Sequence, residues 1–566
     1  MALQDPEHEA AAAVAPSSDF PLDAGASERA SLLSHRVDSR PSRYGGTDSS
    51  SLQDASPDYC LPEDDQPQES PVATISLLLI GVLIANADTT LVLATYGTIS
   101  SEFAAFSSGS WLTTAYSLAC TAVQPIVGKL SDIYGRKSVL IISYVLFGLG
   151  TVICGISQSM LQVIVGRIVS GVGSAGMTVI VSILITDLVP LIQVAAWRSY
   201  VNVVSTLGRS IGGPLGGLLA DTIGWRWSFI GQGPLIFLAI VLVSLNLPSQ
   251  TREESLPLKG QPSRLRRIDF VGATLLASML VALLGALSIG GQIVPWSHPT
   301  VIGLLGVSVG LAILFIVFES NYALEPVFPL SLVCQRDVAT SYGIMAMQVA
   351  AQLSMMFSVP LYFQVTQSAS NTTAGAHLFP AVLGNTIGGL AAGFTIQKTG
   401  KYKTLTIIAP LVSAVAYLLM ILRWTGHTTW LESMEIIPGG LGTGMASAAT
   451  FIALTSSVQK EQVAIATGGM YLASSVGMVG GIAVGSTVQQ SGLRSILERK
   501  LVGKGGDKVI KMVISDVRNL SKLDHRVRRV VVEAYLKSLE YSHIFSLSCA
   551  LGAFLLALTL REHALK

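Results

Sequence analysis

Charge is scarce in this chain. Asp, Glu, Lys and Arg make up 13 % of its 566 residues and hydrophobic residues 50 %, where an ordinary soluble domain carries roughly 25 % charged residues. With a mean hydropathy of +0.57, a water-soluble fold of this size is excluded. Neither sign of charge is in excess, 36 basic against 35 acidic residues for a net +1, so charge gives no reason to expect a nucleic-acid or acidic-surface partner. Cysteine is sparse and odd in number: Cys60, Cys120, Cys154, Cys334 and Cys549. Three of these sit in apolar runs as small packing residues, and no disulfide framework is implied. The sequence also lacks a metal-ligand cluster, a nucleophile triad and a GxxxxGK[ST] loop between strand and helix. That argues against an enzyme or an ATP-driven pump and leaves no cofactor to expect.

What the chain does have is long apolar runs. Each run of about 20 residues can cross a hydrocarbon core of roughly 30 Å as a helix. Runs fall near 73–96, 111–130, 138–157, 161–186, 198–220 and 226–247, then 269–290 and 299–319, then 338–363, 373–396, 404–423, 436–457, 464–487 and 542–560. An all-α membrane protein follows, with two six-helix halves, an inserted pair and about 14 spans. The domain boundaries are a tail over 1–71, a first half over 72–247, a linker with the inserted pair over 248–325 and a second half over 326–566.

The tail is rich in Ser, Asp, Glu, Pro and Ala and reads as disordered. The first apolar run starts near Pro71, too late for a cleaved secretory signal, so an uncleaved first span is expected. Within the tail, Glu28, Leu32 and Leu33 resemble an acidic dileucine sorting signal, which implies a sorting adaptor as partner. Short loops rich in Lys and Arg mark the cytosolic side. Lys129, Arg136 and Lys137, then Arg198, then Arg264, Arg266 and Arg267, then Arg336, Lys398, Lys401, Lys403 and Lys460 place both termini there. The basic segment near 488–541 falls on the other side, where its apolar spacing (Leu493, Ile496, Leu497, then Val509, Ile510, Val513, Ile514) suggests amphipathic helices lying on the surface.

The two halves repeat each other. Gly128-Lys-Leu-Ser-Asp-Ile-Tyr-Gly135-Arg136-Lys137 after the second span has the same glycine-to-glycine spacing as Gly393 to Gly400 after the tenth. Gly208, Gly212, Gly213, Pro214, Gly216 and Gly217 in span five are echoed by Gly477, Gly480, Gly481 and Gly485 in span thirteen. Parallel repeats of this kind mark a class of secondary transporter whose substrate site lies between the halves.

The segment Gly128 to Leu140 resembles the loop signature GxLxDRxGRRxxL of the major facilitator superfamily, with Ile133 in place of the usual first arginine. Here the glycines allow close helix approach, Asp132 can cap or pair across a half-interface, and Arg136 and Lys137 can anchor in the headgroup layer. The resemblance implies a gating role for these residues. Arg167, in Gly166-Arg-Ile-Val-Ser-Gly171, resembles the family's fourth-span arginine, implicated in proton coupling. An arginine in hydrocarbon faces the bundle interior and finds a partner. The run from Gly212 to Gly217 resembles the fifth-span motif of antiporters. Its small residues permit tight helix contact and Pro214 permits a bend.

Asp88, in Ala85-Asn86-Ala87-Asp88-Thr89-Thr90, resembles the first-span Asp-x-Thr element of the fourteen-span drug:proton antiporter family 2. A carboxylate in a low-dielectric site can exchange a proton or hold a cation. It could equally stand in a permanent pair with Arg167 or Arg209. Together with Ile99 to Phe103 and the Gly208-Arg209-Ser210 run, this first-span segment is similar to the fungal vacuolar basic amino acid transporters within that family. The resemblance implies a monomer in the lipid bilayer, driven by a proton gradient, that exchanges lysine, arginine or histidine for protons. On that reading Asp88, Arg167, Arg209 and Asn86 bind proton and substrate. Drug efflux at the plasma membrane, or a transceptor without turnover, are the alternatives. Asn371-Thr372-Thr373 is a glycosylation sequon close to the membrane; Gln348, Gln352, Tyr362 and Gln364 are candidates to line a cavity or to hold the bundle together; His377 reads as a boundary residue.

Overall fold

The computed structural model describes residues 71–565 apart from 104–108, 110, 248–268, 292–293, 324–325, 370, 502–509, 511–512, 514–519 and 521–522. The chain divides into Met1–Gln66 and Pro67–Lys566, and the sorting motif at Glu28, Leu32 and Leu33 lies outside the described residues. The first six long helices are α1 (Pro71–Glu102), α2 (Trp111–Tyr134), α3 (Arg136–Ile156), α4 (Met160–Leu188), α5 (Leu191–Thr222) and α6 (Trp225–Asn246), the last interrupted after Ile230 by a turn at Gly231-Gln232. An inserted pair follows, α7 (Phe270–Ile289) and α8 (Pro299–Asn321). The last six are α9 (Arg336–Gln367), α10 (Phe379–Thr399), α11 (Lys403–Arg423), α12 (Ile437–Ser457), α13 (Val463–Lys500) and α14 (His525–Thr559). In hydrocarbon only such helices satisfy every backbone donor and acceptor internally.

Among the described residues twelve helices are long and apolar enough to cross a membrane, and α2 and α5 are not among them. Both have the length, 24 and 32 residues, but their apolar runs are broken by polar side chains such as Gln124 on α2 and Arg198, Asn202 and Arg209 on α5. The count of about fourteen spans therefore rests on two helices whose apolar runs are interrupted by polar side chains. Burial sorts the rest. The most apolar window is 78 % buried in α4 and in the stretch containing α12, but only 17 % in α8, which leaves Ile302, Val309, Ile313 and Val317 exposed on the periphery.

The sequence repeat is a structural repeat. Gly135 and Gly400 both adopt a positive φ, 87° and 66°, at the turns that lead into α3 and α11. A left-handed turn of this kind is what glycine supplies without steric penalty. The first glycine of each loop sits where the halves meet. A Cβ on Gly128 would lie 2.7 Å from Ala464 O at the start of α13, and one on Gly393 would lie 2.8 Å from Ala195 O on α5. The glycine stripes also serve equivalent pairs: Gly208, Gly212 and Gly216 press α5 onto α1, and Gly477, Gly481 and Gly485 press α13 onto α9.

The segment at 488–541 is described in part: α13 runs on to Lys500 and α14 begins at His525, while most of 502–522, Val509 and Ile514 included, lies outside the described residues. Leu493, Leu497, Ile510 and Val513 are buried against Val365, Val531 and Tyr535, so these side chains pack with one another and with the end of α9. Apolar side chains on two adjoining helix extensions bury more area against each other than either could alone.

Candidate functional site

Side chains that cross between the halves gather toward one end of the bundle. Arg198 on α5 donates to the Tyr471 hydroxyl on α13 at 2.8 Å and to Ser182 at 2.5 Å, and its guanidinium lies 4.2 Å from the Phe451 ring centroid on α12. Ser199 donates to Gly389 O at 2.5 Å, Asn202 to Asn385 at 2.6 Å, and Ser475 to Gln124 at 3.3 Å. These positions lie in the last half of α2, α4 and α12, the first half and middle of α10, and the first half of α5 and α13. All are on the side of the loop that carries Gly128 to Lys137.

Toward the opposite end the halves diverge. Positions three and four apart share a face of a helix, so Arg198, Asn202, Ser205, Arg209 and Gly213 recur along one face of α5. The first two touch the second half, whereas a Cβ on Gly213 or Gly217 would meet nothing within 4 Å. Arg209 lies where the gap has opened, and its side chain is exposed. The conformation is closed at the signature-loop face and open at the other.

Asp88 is fully buried in the first half, on the part of α1 that faces α4 and α6. Arg167 on α4, 1 % exposed, donates through Nη1 to Asp88 Oδ2 at 2.6 Å, and Gln232 on α6 donates through Nε2 to Asp88 Oδ1 at 3.1 Å. Arg167 also donates through Nε to Leu112 O at 3.1 Å and stacks 4.1 Å over the Tyr116 ring, whose hydroxyl donates to Ser174 at 2.7 Å. Its Nη2 has no partner. Four helices, α1, α2, α4 and α6, thus converge on one ion pair. Charges taken out of water are tolerated only when paired and hydrogen-bonded in this way.

The structure decides between the two candidate partners of Asp88. Arg209 donates through Nε to Asn86 Oδ1 at 3.0 Å instead, while Asn86 donates to Val82 O at 2.8 Å. In this conformation Asp88 is sealed, not exposed to a shared cavity with Arg209. At the open end, Glu102 at the end of α1 receives Trp225 Nε1 at 2.5 Å and Arg226 at 2.7 Å, tying α1 to the start of α6.

Other expectations need correction. Asp132 pairs with Arg136 at 2.5 Å, and Arg136 with Asp187 on α4 at 3.1 Å, so the pairing fastens α2, α3 and α4 within one half and does not cross to the other. Lys137 donates to Ser244 O at 2.7 Å, capping the C-terminal carbonyls of α6. Of the fifth-span glycines Gly208, Gly212 and Gly216 pack against α1, while Gly213 and Gly217 face open space. Pro214 sits inside an uninterrupted α5. Gln348 donates to Ser413 and, at 3.2 Å, to Thr443, and Tyr362 bonds Thr428 at 2.6 Å, so both hold the second half together. His377 is buried, stacked 3.5 Å from Phe363 and bonded to Ser433 at 2.7 Å, and so is more than a boundary residue. Asn371 begins the short helix Asn371–Ala376.

Sequence reasoning missed Gln232, Tyr116 and Tyr471 as members of these networks. The one available signal was Gln232 itself, an amide amid an apolar run between two glycines.

The chain matches the Major Facilitator Superfamily over residues 78–482. It is 34 % identical over 482 residues to the vacuolar membrane amino acid uptake transporter fnx2 of Schizosaccharomyces pombe, covering 84 % of this chain and 82 % of that one. To multidrug resistance protein fnx1 of the same yeast it is 31 % identical, covering 86 % and 91 %. To vacuolar basic amino acid transporter 2 of Saccharomyces cerevisiae it is 27 % identical, covering 78 % and 95 %. A family match over most of the chain and relatives that align along nearly their whole length accord with the repeated halves and the apolar helices: the chain belongs to the Major Facilitator Superfamily and is a multi-pass membrane transporter, not an enzyme.

Proposed function

We propose that this transporter is a proton-coupled antiporter that moves basic amino acids, lysine, arginine and histidine, across the vacuolar membrane by alternating access. The observation that carries the reading is the Asp88–Arg167 pair, buried at 0 % and 1 % exposure and joined at 2.6 Å. A proton arriving at Asp88 cancels one charge of the pair and leaves Arg167 without compensation, so α1 and α4 are driven to rearrange. Arg209 and Asn86, at the mouth of the open gap, offer donors to a substrate carboxylate. The substrate cation competes with the proton for Asp88 once Arg167 has moved. Relatives named for vacuolar amino acid transport, one of them for basic amino acids, support the substrate class and the membrane. The proton gradient is the energy source and no cofactor takes part.

In this reading the signature-loop face is cytosolic together with both termini, the gap opens to the vacuolar lumen, the protein works as a monomer, and Glu28, Leu32 and Leu33 engage a sorting adaptor. The test is uptake of radiolabelled lysine, arginine and histidine into vacuolar vesicles from cells with and without the protein, with and without a proton gradient. Gradient-dependent uptake lost on deletion supports antiport. Unchanged uptake, with the protein present in the vesicles, overturns it. A second reading, drug efflux at the plasma membrane, draws on the relative named for multidrug resistance. Plasma-membrane location together with drug sensitivity on deletion would favour it.

A further inference from the structure

The inserted pair carries an acidic couple that the transport reading does not use. Asp269 caps α7: its Oδ1 accepts from Gly272 N at 2.8 Å. Glu319, near the end of α8, is 6 % exposed, and its Oε1 accepts from Phe328 N at 2.8 Å, in the segment that leads into the second half. Each residue keeps one buried carboxylate oxygen, Asp269 Oδ2 and Glu319 Oε2, without a hydrogen-bond partner. Those two oxygens flank the same point. A methyl group added at Gly272 would collide with Asp269 Oδ2 and lie 2.8 Å from Glu319 Oε2.

Among the described residues neither acid takes part in an ion pair. The ends of the elements that converge on this face bring charges of their own: Lys129 and Asp132 on α2, Arg336 and Asp337 on α9, Lys460 and Glu461 before α13. Asp132 is paired with Arg136 and Asp337 with His563, and Arg264, Arg266 and Arg267, which precede Asp269, lie outside the described residues. Two ionised carboxylates with facing oxygens and no described cation between them repel strongly in a low-dielectric site, and one proton converts the repulsion into a short carboxyl–carboxylate hydrogen bond.

We propose that Asp269 and Glu319 form a proton-binding site, separate from Asp88, in which one shared proton clasps the base of the inserted helix pair to the chain entering the second half. One oxygen of each acid anchors a backbone amide, Gly272 on α7 and Phe328 beyond α8, and the proton joins the two remaining oxygens. The clasp therefore holds three segments with a single titratable bond. Its loss frees the inserted pair from the second half at the signature-loop face.

The sign of the pH effect follows from proton counting. In the unfolded chain both carboxyls have released their protons above roughly pH 4.3, while the folded pair retains one. The folded state then binds more protons, and stability falls as pH rises, tenfold in the folding equilibrium per pH unit until the shared proton is lost. The experiment is thermal unfolding of the purified full-length protein in detergent across mildly acidic to alkaline buffers, for the wild type and Glu319→Gln. The amide that this substitution introduces is a permanent donor, so the variant is expected to lose this pH-dependent decline. Asp269→Asn, which also supplies a donor, is the second variant, should the first not fold. Hydrogen exchange at the Gly272 and Phe328 amides is read alongside. In the wild type it should rise with pH beyond the ordinary base-catalysed trend, and in the variants it should not. Identical pH profiles in wild type and both variants overturn the proposal. So does stabilisation of the wild type by added sodium, potassium or magnesium ions at constant pH, which would replace the proton by a metal cation. Neither outcome depends on which substrate is carried.

Discussion

Neutralising one member of the Asp88–Arg167 pair should damage the protein in two distinguishable ways. Asp88→Asn keeps the shape of the side chain but leaves Arg167 charged, 1 % exposed and held only by Leu112 O and the Tyr116 ring. Removing one partner of a buried ion pair costs roughly 3–5 kcal/mol, because the other charge is left uncompensated. Arginine stays protonated under all ordinary conditions, so this deficit should persist at every pH. Arg167→Gln strands the acid instead, and a stranded acid in an apolar bundle can take up a proton. Its deficit should shrink as pH falls. Gln232 contributes to the contrast: its Nε2 donates to Asp88 Oδ1 at 3.1 Å and to Ser228 O at 2.9 Å, and the amide nitrogen introduced by Asp88→Asn, if turned toward it, would face donor with donor. The assay is the unfolding midpoint of purified protein at several pH values, with proteoliposome flux measured in parallel. The double variant Asp88→Asn, Arg167→Gln removes both charges and should be more stable than the two single losses added together, with a coupling of about 0.5–3 kcal/mol, yet carry no proton-driven flux. Strictly additive losses, or wild-type stability and flux in Asp88→Asn, would refute the claim that the pair is the charged core of the mechanism.

Gly212→Leu should prevent folding, because even its Cβ would run into Ala87 O and Thr90 on α1, while Gly213→Ala on the next residue meets open space and should leave expression and stability unchanged; size-exclusion profiles of the two variants check this. Gly128→Val places a Cβ 2.7 Å from the backbone oxygen of Ala464 and should hinder closure at the signature-loop face; a cysteine introduced at Ser475 should then label faster from that side, and an unchanged rate would count against it. Arg198→Ala removes the hydrogen bonds to Ser182 and Tyr471 and the contact with Phe451. Hydrogen bonds to charged groups contribute about 1.5–3 kcal/mol, so the same labelling rate should rise by about ten-fold or more, with Tyr471→Phe giving a smaller rise.

The architecture could be read from the sequence because membrane spans are announced by apolar runs, and each expected run from 73–96 to 542–560 coincides with a helix. The repeat was equally visible, since Gly135 and Gly400 are fixed by the positive φ of one turn used twice. The site was legible in its members but not in its pairings. Asp88 lies 79 positions from Arg167, and both Arg167 and Arg209 were admissible partners; only the packing of α1 against α4 and α6 assigns Arg167 to Asp88 and Arg209 to Asn86. Adjacent glycines show why. Gly212 and Gly213 differ by one residue, a rotation of about 100° around a helix of 3.6 residues per turn, and that rotation separates a contact with α1 from open space. Arg198 looked like one more positive residue at a loop, because nothing local reveals that the residue across from it is Tyr471 on a helix of the other half.

The two halves share a skeleton but not a chemistry, and this difference bears on how a proton could be coupled to motion. Glycine stripes clamp α5 to α1 and α13 to α9 in the same way. Inside the first half the polar core is an ion pair that one proton can dismantle. In the second half the first helix carries Gln348, bonded to Ser413 and Thr443, and the ion pairs among the described residues are partly exposed ones such as Asp337 with His563, Arg423 with Glu432 and Glu435, Arg494 with Glu498, Lys500 and Arg529 with Glu533, and Lys537 with Glu540. A neutral hydrogen-bonded cluster such as the one at Gln348 does not change its charge with pH, so it does not answer a proton, and among the described residues the buried side chains of the second half that ordinarily titrate near neutral pH are the histidines His377 and His543. In the proposed reading the event that starts the rocking of the halves arises at Asp88, in the first half. The contacts that resist it include Arg198 to Tyr471, Ser199 to Gly389 and Asn202 to Asn385 on α5, and Ser475 to Gln124 between α13 and α2. Since α5 is also clamped to α1 through Gly208, Gly212 and Gly216, a displacement of α1 by loss of the Asp88 charge would reach the closed face through α5. The glycine stripe would then act as a mechanical link as well as a packing surface.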